Sequence, residues 1–466
     1  MADLPKIALA ADNPKAGIAY VRREMSKAEA APLSEVGAIG WARKNLFSSI
    51  PNTLLTLLAI YLVWLIVPPI LRFAFVDAVW SGTDRAACTT VDQGGLKPSG
   101  WFGACWPFVG DYFNLFIYGR YPADQYWRVN SVFVLFAAGL VPMLMPSLPY
   151  KRENSVLLLA VFPLAAFILL TGGNLSYRGF LLPDWLIAPS MLKFVIDYLL
   201  LAGVLCVVAA GFARASGSLL MPLIRPIAMV MGALLLVILV SAVNFGLRPV
   251  ETDVWGGLLV TLVIAVTGIT ASLPIGILLA LGRRSKMPVI RMASIIFIEF
   301  WRGVPLITVL FMSSVMLPLF LPDGVSFDKL LRALIGVALF SAAYMAEVVR
   351  GGIQALPKGQ YEGAMALGLT YWQMMRMIIL PQALKIVIPN IVGLFIGLFK
   401  DTTLVLIIGL FDFLGMIQTS FTDPTWASSV QSLSGYLFAA FVFWLFCFAM
   451  SRYSIYMEHR LDTGHR

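Results

Sequence analysis

Charged residues are scarce in this chain of 466 residues. Asp, Glu, Lys and Arg make up 13% of it, against about 25% in a typical soluble domain, whereas apolar residues make up 59%. This composition excludes an ordinary soluble protein and indicates an integral membrane protein.

Histidine is almost absent, and two common nucleotide- and metal-binding motifs are missing. The chain has two His, His459 and His465, both near its end, which excludes a histidine-rich metal site. It contains no Gly-x-x-x-x-Gly-Lys-Ser/Thr phosphate loop and no His-Glu-x-x-His sequence. We therefore expect no catalytic residue, no metal site and no cofactor held by this chain, and any ATP must be bound by another protein.

Long apolar runs predict an all-α membrane protein with about ten transmembrane helices, because about 20 residues at ~1.5 Å each cross the ~30 Å hydrocarbon core. The net charge of +9 does not indicate nucleic-acid binding, since the basic residues lie in short clusters beside these runs. By the positive-inside rule, both termini lie in the cytoplasm. The predicted spans are 49–76, 129–145, 155–170, 194–212, 227–245, 257–281, 292–320, 331–349, 386–410 and 436–453.

A polar segment, residues 77–128, follows the first span. Its acidic residues slightly outnumber its basic ones, which places it outside the cell membrane. It contains Cys88 and Cys105, the only two cysteines outside apolar runs. In an oxidising compartment they can pair, which would stabilise the fold by about 3 kcal/mol in the chain-entropy model. Two unpaired thiols are the alternative, and we favour the disulfide.

The stretch between the eighth and ninth spans has the spacing Glu-x-Ala-x-x-x-Gly, nine residues, then Ile-x-Leu-Pro. We expect a short helix from Glu362 to Leu367, with the carboxylate near the positive end of the helix dipole. Gly368 would end it in a left-handed conformation, and a second helix from Tyr371 would end or bend at Pro381. A plain pair of amphipathic helices at the membrane surface is the alternative interpretation.

Several charges lie inside the later spans, where an ionised group must face a cavity or a partner. Glu299 and Arg302 are three residues apart and can pair, and Glu347 and Arg350 repeat that spacing. Gly303 and Pro305 should break the seventh span. An amino acid carries both a carboxylate and an ammonium group, so its pathway needs charges of both signs. The candidate pathway residues are Glu299, Arg302, Lys400, Asp401, Thr402 and Thr403.

A structural role, in which the charges only orient helices, is the alternative for all of these side chains. For Glu347 and Arg350, near the cytoplasmic end of their span, we favour this structural role. For Glu299, Arg302, Lys400 and Asp401 the two roles stand equal.

The loop resembles the EAA loop of ABC importer permeases, with Gly363 where that family usually has a second Ala. Three further stretches occur in the family's order. They are Ile298-Glu-Phe-Trp-Arg-Gly-Val-Pro-Leu306, Ala343-Tyr-Met-Ala-Glu-Val-Val-Arg-Gly-Gly-Ile353 and Leu398-Phe-Lys-Asp-Thr-Thr-Leu404. Over about residues 255–456 the chain is similar to the polar amino acid (His/Glu/Gln/Arg/opine) permeases. Its greater length resembles the long permeases of general L-amino acid uptake systems.

The resemblance implies that residues 255–456 form a type I permease domain. Its cytoplasmic loop, 351–385, would dock into a partner ATPase. Residues 1–48 and 457–466 would then be cytoplasmic, and 49–250 an additional five-span region. The implied coupling residues are Glu362, Gly363, Ala364, Gly368, Ile378, Leu380 and Pro381.

The implied partners are an ABC ATPase dimer that holds ATP and Mg²⁺, a second homologous permease, a periplasmic amino acid-binding protein and the lipid of the bacterial inner membrane. The expected function is that of a permease subunit in ATP-driven import of polar L-amino acids. An ion-coupled secondary transporter is the alternative. It would explain the spans and buried charges but not the loop, and the two halves show no inverted repeat. A receptor or scaffold role is a further alternative for the first half.

Overall fold

The structure is a computed structural model that describes residues 37–174, 181–215, 221–320 and 328–461. Across these ranges the regular structure is helical, apart from isolated β-bridges, which confirms the predicted all-α class. The predicted tails, 1–36 and 462–466, lie outside the described residues. The helices up to residue 241 are α1 (Gly37–Asn45), α2 (Ile50–Leu71), α3 (Trp106–Asp111), α4 (Phe113–Tyr118), α5 (Tyr126–Leu144), α6 (Lys151–Val156), α7 (Phe162–Thr171), α8 (Met191–Ala215) and α9 (Met221–Ser241). The later helices are α10 (Gly257–Arg283), α11 (Pro288–Gly303), α12 (Leu306–Phe311), α13 (Lys329–Ala355), α14 (Lys358–Ala366), α15 (Tyr371–Met374), α16 (Leu380–Asp401), α17 (Phe413–Ser420) and α18 (Gln431–Leu461).

Eight helical stretches of the described chain are long and apolar enough to cross a membrane, or nine if one bent pair counts as a span. The sequence predicted about ten. The two predicted spans outside these eight are the seventh, which is the bent pair, and the fifth, 227–245, where α9 (Met221–Ser241) is apolar over Ala228–Ser241. The eight are Ile50–Val76, Ala123–Leu144, Lys151–Thr171, Met191–Val208, Gly257–Arg283, Lys329–Ala355, Tyr371–Ile408 and Gln431–Leu461.

The bent pair is the predicted seventh span. α11 and the helical stretch Leu306–Phe320 meet at an angle of 102°. Val304 at the break is extended, with φ −108° and ψ 131°, because the residue before a proline is excluded from the helical region. Pro305 then begins the next helix without needing an N–H donor. The prediction that Gly303 and Pro305 break this span is confirmed.

Residue contacts divide the chain into two compact units, 1–72 and 73–466. In the first unit, α2 begins after the N-cap Ser49, whose side chain accepts a hydrogen bond from the Asn52 N–H. None of the residues of α2 is buried within the chain, although nearly all are apolar. A helix that is apolar on every side and unburied is suited to a lipid environment.

In the second unit, α10, α13 and α16 pack together as the central helices. α10 and α13 approach closely because Gly276 faces Met345. A Cβ atom at Gly276 would lie 2.6 Å from Cγ of Met345, closer than any real contact. Small residues at helix contacts are how membrane helices gain packing without a hydrophobic driving force. α13 and α16 carry four of the charged side chains predicted above, and the other two, Glu299 and Arg302, lie on α11.

Residues 77–128 form a cap at the end of the bundle where α10 begins. The structure joins Cys88 and Cys105 in a disulfide, with a Cα–Cα distance of 5.7 Å. The cap packs against the segment from α17 to the start of α18. The Cys105 N–H donates to Ser434 Oγ at 2.8 Å, and Trp426 Nε1 donates to Asp111 Oδ2 at 2.9 Å. The 77–128 cap is thus attached directly to the last two helices.

Asp412 is the buried N-cap of α17. Its carboxylate accepts hydrogen bonds from the N–H groups of Gly415 at 2.9 Å and Leu414 at 3.2 Å. Burial nevertheless raises the pKa of Asp412 to about 6, because desolvation of the charge outweighs these hydrogen bonds. Asp423, in the loop that follows, has a lowered pKa because the Tyr112 hydroxyl donates to it.

We predict that Cys88 and Cys105 resist maleimide labelling until a reductant is added. The disulfide consumes both thiols, so labelling of the native chain should come only from Cys206 and Cys447. A Cys88→Ser/Cys105→Ser variant sets that background. Extra labelling of the native chain without reductant would contradict the bridge.

We also predict a pH-dependent advantage for Asp412→Asn. A folded pKa raised above the unfolded value means that the wild type loses stability as pH rises from about 4 to 6 and stays at the lower level above 6. Asn keeps an acceptor oxygen but does not titrate. The thermal midpoint of Asp412→Asn, relative to the wild type in detergent, should therefore increase between pH 4.5 and 7.5.

Asp423→Asn is the matched control for this measurement. The pKa of Asp423 is lowered, so its carboxyl is ionised in both states across this range and should give no such trend. A flat difference for Asp412→Asn would contradict the prediction.

Candidate functional site

The loop between α13 and α16 forms two helices separated by a tight turn. α14 ends before Leu367, and Gly368 follows with φ +70°, the left-handed conformation that the spacing predicted. Nothing lies within 4 Å of the position of a Cβ on Gly368, so backbone conformation rather than space favours glycine there. Thr370 then caps α15 through a capping box with Gln373.

Two details of the predicted loop are wrong. α14 begins at Lys358, so Glu362 lies in the middle of this helix rather than at its positive end. The second helix does not stop at Pro381 but continues into the membrane-spanning α16. A wider π-helical turn, Met375–Ile379, precedes Pro381, and the proline occupies the first turn of α16, where no N–H donor is needed.

The two sides of the loop differ in burial. Ala364, 2% exposed, packs with Ile378 and Leu380 into an apolar cluster formed with α10, α13 and α16. On the other side Glu362, Gly363 and Pro381 are exposed. Large apolar side chains are exposed beside them, namely Met365, Leu367, Trp372 and Met377. We call these four residues the apolar face. A concentrated apolar face on a polar loop is typical of a protein contact surface.

Tyr361, which the sequence did not single out, fastens α14 to the bundle. Its hydroxyl donates to the Ile353 carbonyl at 3.1 Å and accepts from Arg284 Nη1 at 3.2 Å. The Arg284 guanidinium also lies over the Tyr361 ring, 5.7 Å from its centroid. Gln382 on α16 adds a hydrogen bond to Gln360 at 3.0 Å.

Glu347 is the centre of an ion cluster near the same end of the bundle. Its carboxylate lies 2.8 Å from Arg283 Nη1 on α10 and 2.7 Å from Arg350 Nη2 on α13. Arg302 Nη1 on α11 lies 3.7 Å from it. The side chain of Glu347 is only 15% exposed, so three arginines neutralise a largely buried carboxylate. Three helices are therefore held together through one side chain.

Glu299 and Arg302 do not pair with each other as predicted, whereas Glu347 and Arg350 do. Glu299 Oε1 binds Arg283 Nη1 at 2.9 Å, and Arg302 faces Glu347. The end of α10 brings Arg283 between α11 and α13, and this cross-helix contact replaces the local one. Sequence spacing identifies pairs on one helix but carries no information about a third helix.

Lys400, Asp401, Thr402 and Thr403 lie where α16 ends. Lys400 and Asp401 are exposed, while Thr402 is 2% exposed. The Thr402 and Thr403 hydroxyls donate to the carbonyls of Phe399 at 2.8 Å and Lys400 at 2.9 Å, within their own helix.

The structure does not bring this group together with Glu299 and Arg302. Leu398, just before the group, packs at the level of Val337 on α13, since a Cβ atom on Gly268 of α10 would meet both side chains. Glu347 lies ten residues further along α13, or ~15 Å away. The candidate pathway residues thus form two groups at different depths.

We predict that Glu347→Gln destabilises the protein strongly, by about 3–5 kcal/mol, because three arginines lose a buried counter-charge. Glu299→Gln is the matched control. Glu299 is 54% exposed and has one ion-pair partner among the described residues, so we expect about 0–1 kcal/mol. Thermal unfolding in detergent measures both, and equal shifts in the two midpoints would contradict the central role of Glu347.

A helical membrane bundle with a broken span and a buried ion cluster is suited to a transport protein, and the apolar face of the loop is suited to a protein contact. The comparisons with known proteins agree. The family model described as "binding-protein-dependent transport system inner membrane component" matches residues 272–463.

Two relatives match nearly the whole chain. The inner membrane amino-acid ABC transporter permease protein YhdY of Escherichia coli K12 is 45% identical, over 92% of this chain and 94% of its own length. The glutamate/glutamine/aspartate/asparagine transport system permease protein BztC of Rhodobacter capsulatus is 44% identical, over 96% and 99%. This chain belongs to the permease subunits of amino-acid ABC transporters and is a multi-pass inner membrane protein. Nothing in these matches supports the ion-coupled alternative.

Among solved structures, an amino acid ABC transporter crystallised with histidines is 28% identical over 44% of this chain and 92% of its own. The TM-score is 0.39, too low for the likeness to carry an argument.

Proposed function

We propose that this permease couples ATP hydrolysis in a separate ATPase dimer to the uptake of polar L-amino acids through its loop 351–385. The observation that carries the proposal is the two-sided burial of α14. Ala364 packs into the bundle, while Glu362 and the apolar face point away from it. A partner that docks on this face can move α14, and α14 can move the bundle.

ATP and Mg²⁺ are bound by the ATPase in this proposal. Docking drives transport because the ATP-bound partner favours one arrangement of the spans over another, and no covalent step in this chain is needed. A second, homologous permease completes the pathway, and a periplasmic amino acid-binding protein delivers substrate to the end that carries the 77–128 cap. Both termini are cytoplasmic in this orientation.

The two groups of candidate pathway residues serve successive stages of transport in this proposal. Lys400 and Asp401 supply charges of both signs nearer the capped end, where the ammonium and carboxylate of an amino acid would be met first. Glu299 and Arg302 lie at the broken span, nearer the loop. The exposed positions of Lys400 and Asp401 on α16 leave them accessible to substrate or to the second permease.

The experiment is co-purification of the tagged full-length chain after mild extraction. We expect a P-loop ATPase and a second permease to be recovered with the wild type. Gly368→Ala should lower recovery of the ATPase and substrate-stimulated ATP hydrolysis, because a left-handed residue with a Cβ costs about 1–2 kcal/mol and shifts the turn. Glu362→Gln should lower both without changing the thermal midpoint.

Gly359→Ala is the matched control. Gly359 lies in α14 with nothing within 4 Å of its Cβ position and without a positive φ, so alanine should be tolerated. Normal ATPase recovery and hydrolysis in both Glu362→Gln and Gly368→Ala would overturn the docking role. Transport by the purified chain alone under an ion gradient would overturn ATP coupling altogether.

A further inference from the structure

We propose that Tyr361 and Arg284 are positioning residues that transmit movement of α14 to the broken span. The route runs from Tyr361 through Arg284 and Arg283 to Glu347 and Arg302. The inference rests on the docking of a partner at α14 proposed above, and it identifies the side chains through which such docking would act on the transmembrane part.

The first contact joins α14 to α13. The Ile353 carbonyl, in the last turn of α13, would accept the N–H of residue 357 in a longer helix, but that residue is Pro357. The Tyr361 hydroxyl donates to this carbonyl instead, at 3.1 Å. Tyr361 directly precedes Glu362 on α14, so a shift of α14 would displace the hydroxyl that binds the end of α13.

The second contact joins α14 to α10. Arg284 follows the last residue of α10, and its guanidinium both donates to the Tyr361 hydroxyl and lies over the ring. A cation over an aromatic ring adds to the hydrogen bond, so this pair is held by two interactions. A displacement of Tyr361 therefore pulls on the end of α10.

The next residue towards the membrane, Arg283, carries the movement inward. Arg283 is bonded covalently to Arg284, and its Nη1 atom binds both Glu299 at 2.9 Å and Glu347 at 2.8 Å. Adjacent arginines thus point one guanidinium at the docking helix and the other at the ion cluster. A movement of the α10 end that shifts Arg284 against Tyr361 therefore also shifts Arg283 against Glu299 and Glu347.

The last contact reaches the break itself. Arg302, which lies 3.7 Å from Glu347, is followed directly by Gly303 and the 102° bend. At 3.7 Å this ion pair is longer than a hydrogen bond, and it is the loosest contact of the route. Within the described residues the cluster holds three arginines and two glutamates, an excess of one positive charge. The contact best able to open is therefore the one beside the broken span.

A continuous set of contacts becomes a transmission route only if changes at its two ends are energetically coupled. The test uses the complete complex of both permeases and the ATPase in proteoliposomes, with binding protein and substrate. ATPase association, thermal midpoint and the number of amino acids moved per ATP are measured together. Tyr361→Phe removes only the hydroxyl, and Arg284→Gln removes the guanidinium at the other side of the contact.

We expect Tyr361→Phe to keep the ATPase bound while transport per ATP falls about three- to tenfold, the range that corresponds to one lost hydrogen bond. Arg284→Gln should do the same. The loss in the double variant should be smaller than the product of the two single losses, because the hydrogen bond between Arg284 and Tyr361 is broken by either change. Tyr150→Phe and Lys286→Gln are the matched controls, since both side chains are exposed and the structure shows no hydrogen bond or ion pair for them in the described chain, and both should leave transport per ATP unchanged.

Normal transport per ATP in Tyr361→Phe, or multiplying effects in the double variant, would overturn the route and leave the docking proposal intact. Loss of the bound ATPase in Tyr361→Phe would also overturn it, because Tyr361 would then act in docking rather than in transmission. A wild-type complex without an ATPase would overturn the docking proposal itself, and this inference with it.

Discussion

A carboxylate inside a membrane protein must be neutralised where it stands, and Glu347 meets this requirement with arginines from three helices. Each arginine can neutralise Glu347 only if its own helix places it within reach of that carboxylate. The positions of the α10 end, the broken α11 and the inner part of α13 are therefore set by a single charge. The loop that follows α13 is positioned by the same ion cluster, because it begins at the end of that helix.

A second constraint is the need to satisfy every backbone polar group, and prolines show how it is met. Pro305 follows a sharp bend, Pro381 follows a wide helical turn, and Pro357 leaves a carbonyl that a tyrosine hydroxyl takes up. In each case the missing N–H coincides with a departure from regular α-helix, which is a bend at Pro305, a helix end at Pro357 and a π-helical turn before Pro381. Proline therefore marks the break in the span and both ends of the loop without unfolding the helices beside them.

Local signals in the sequence were enough for the class, the broken span, the left-handed glycine and the placement of the loop between two spans. They act over a few residues, as at Gly303 and Pro305. The partner of Glu299, the role of Tyr361 and the attachment of the 77–128 cap depend on contacts across long stretches of chain, which no local pattern contains. The continuation of the helix past Pro381 was not predicted for another reason. A proline indicates the end of a helix unless the π-helical turn before it is known.

The attachment of the cap has a consequence for the order of events during synthesis. The N–H of Cys105 finds its acceptor on Ser434, 329 residues later. At about 5 to 20 residues per second, roughly 15 to 65 seconds pass between synthesis of the two. Until then the buried face of the cap has nothing to cover it, and contacts of such separation form slowly in any case. The bridge between Cys88 and Cys105 closes over only 17 residues and needs no later part of the chain. It allows the cap to keep its shape during the wait, so the last two helices can assemble on a surface that is already formed.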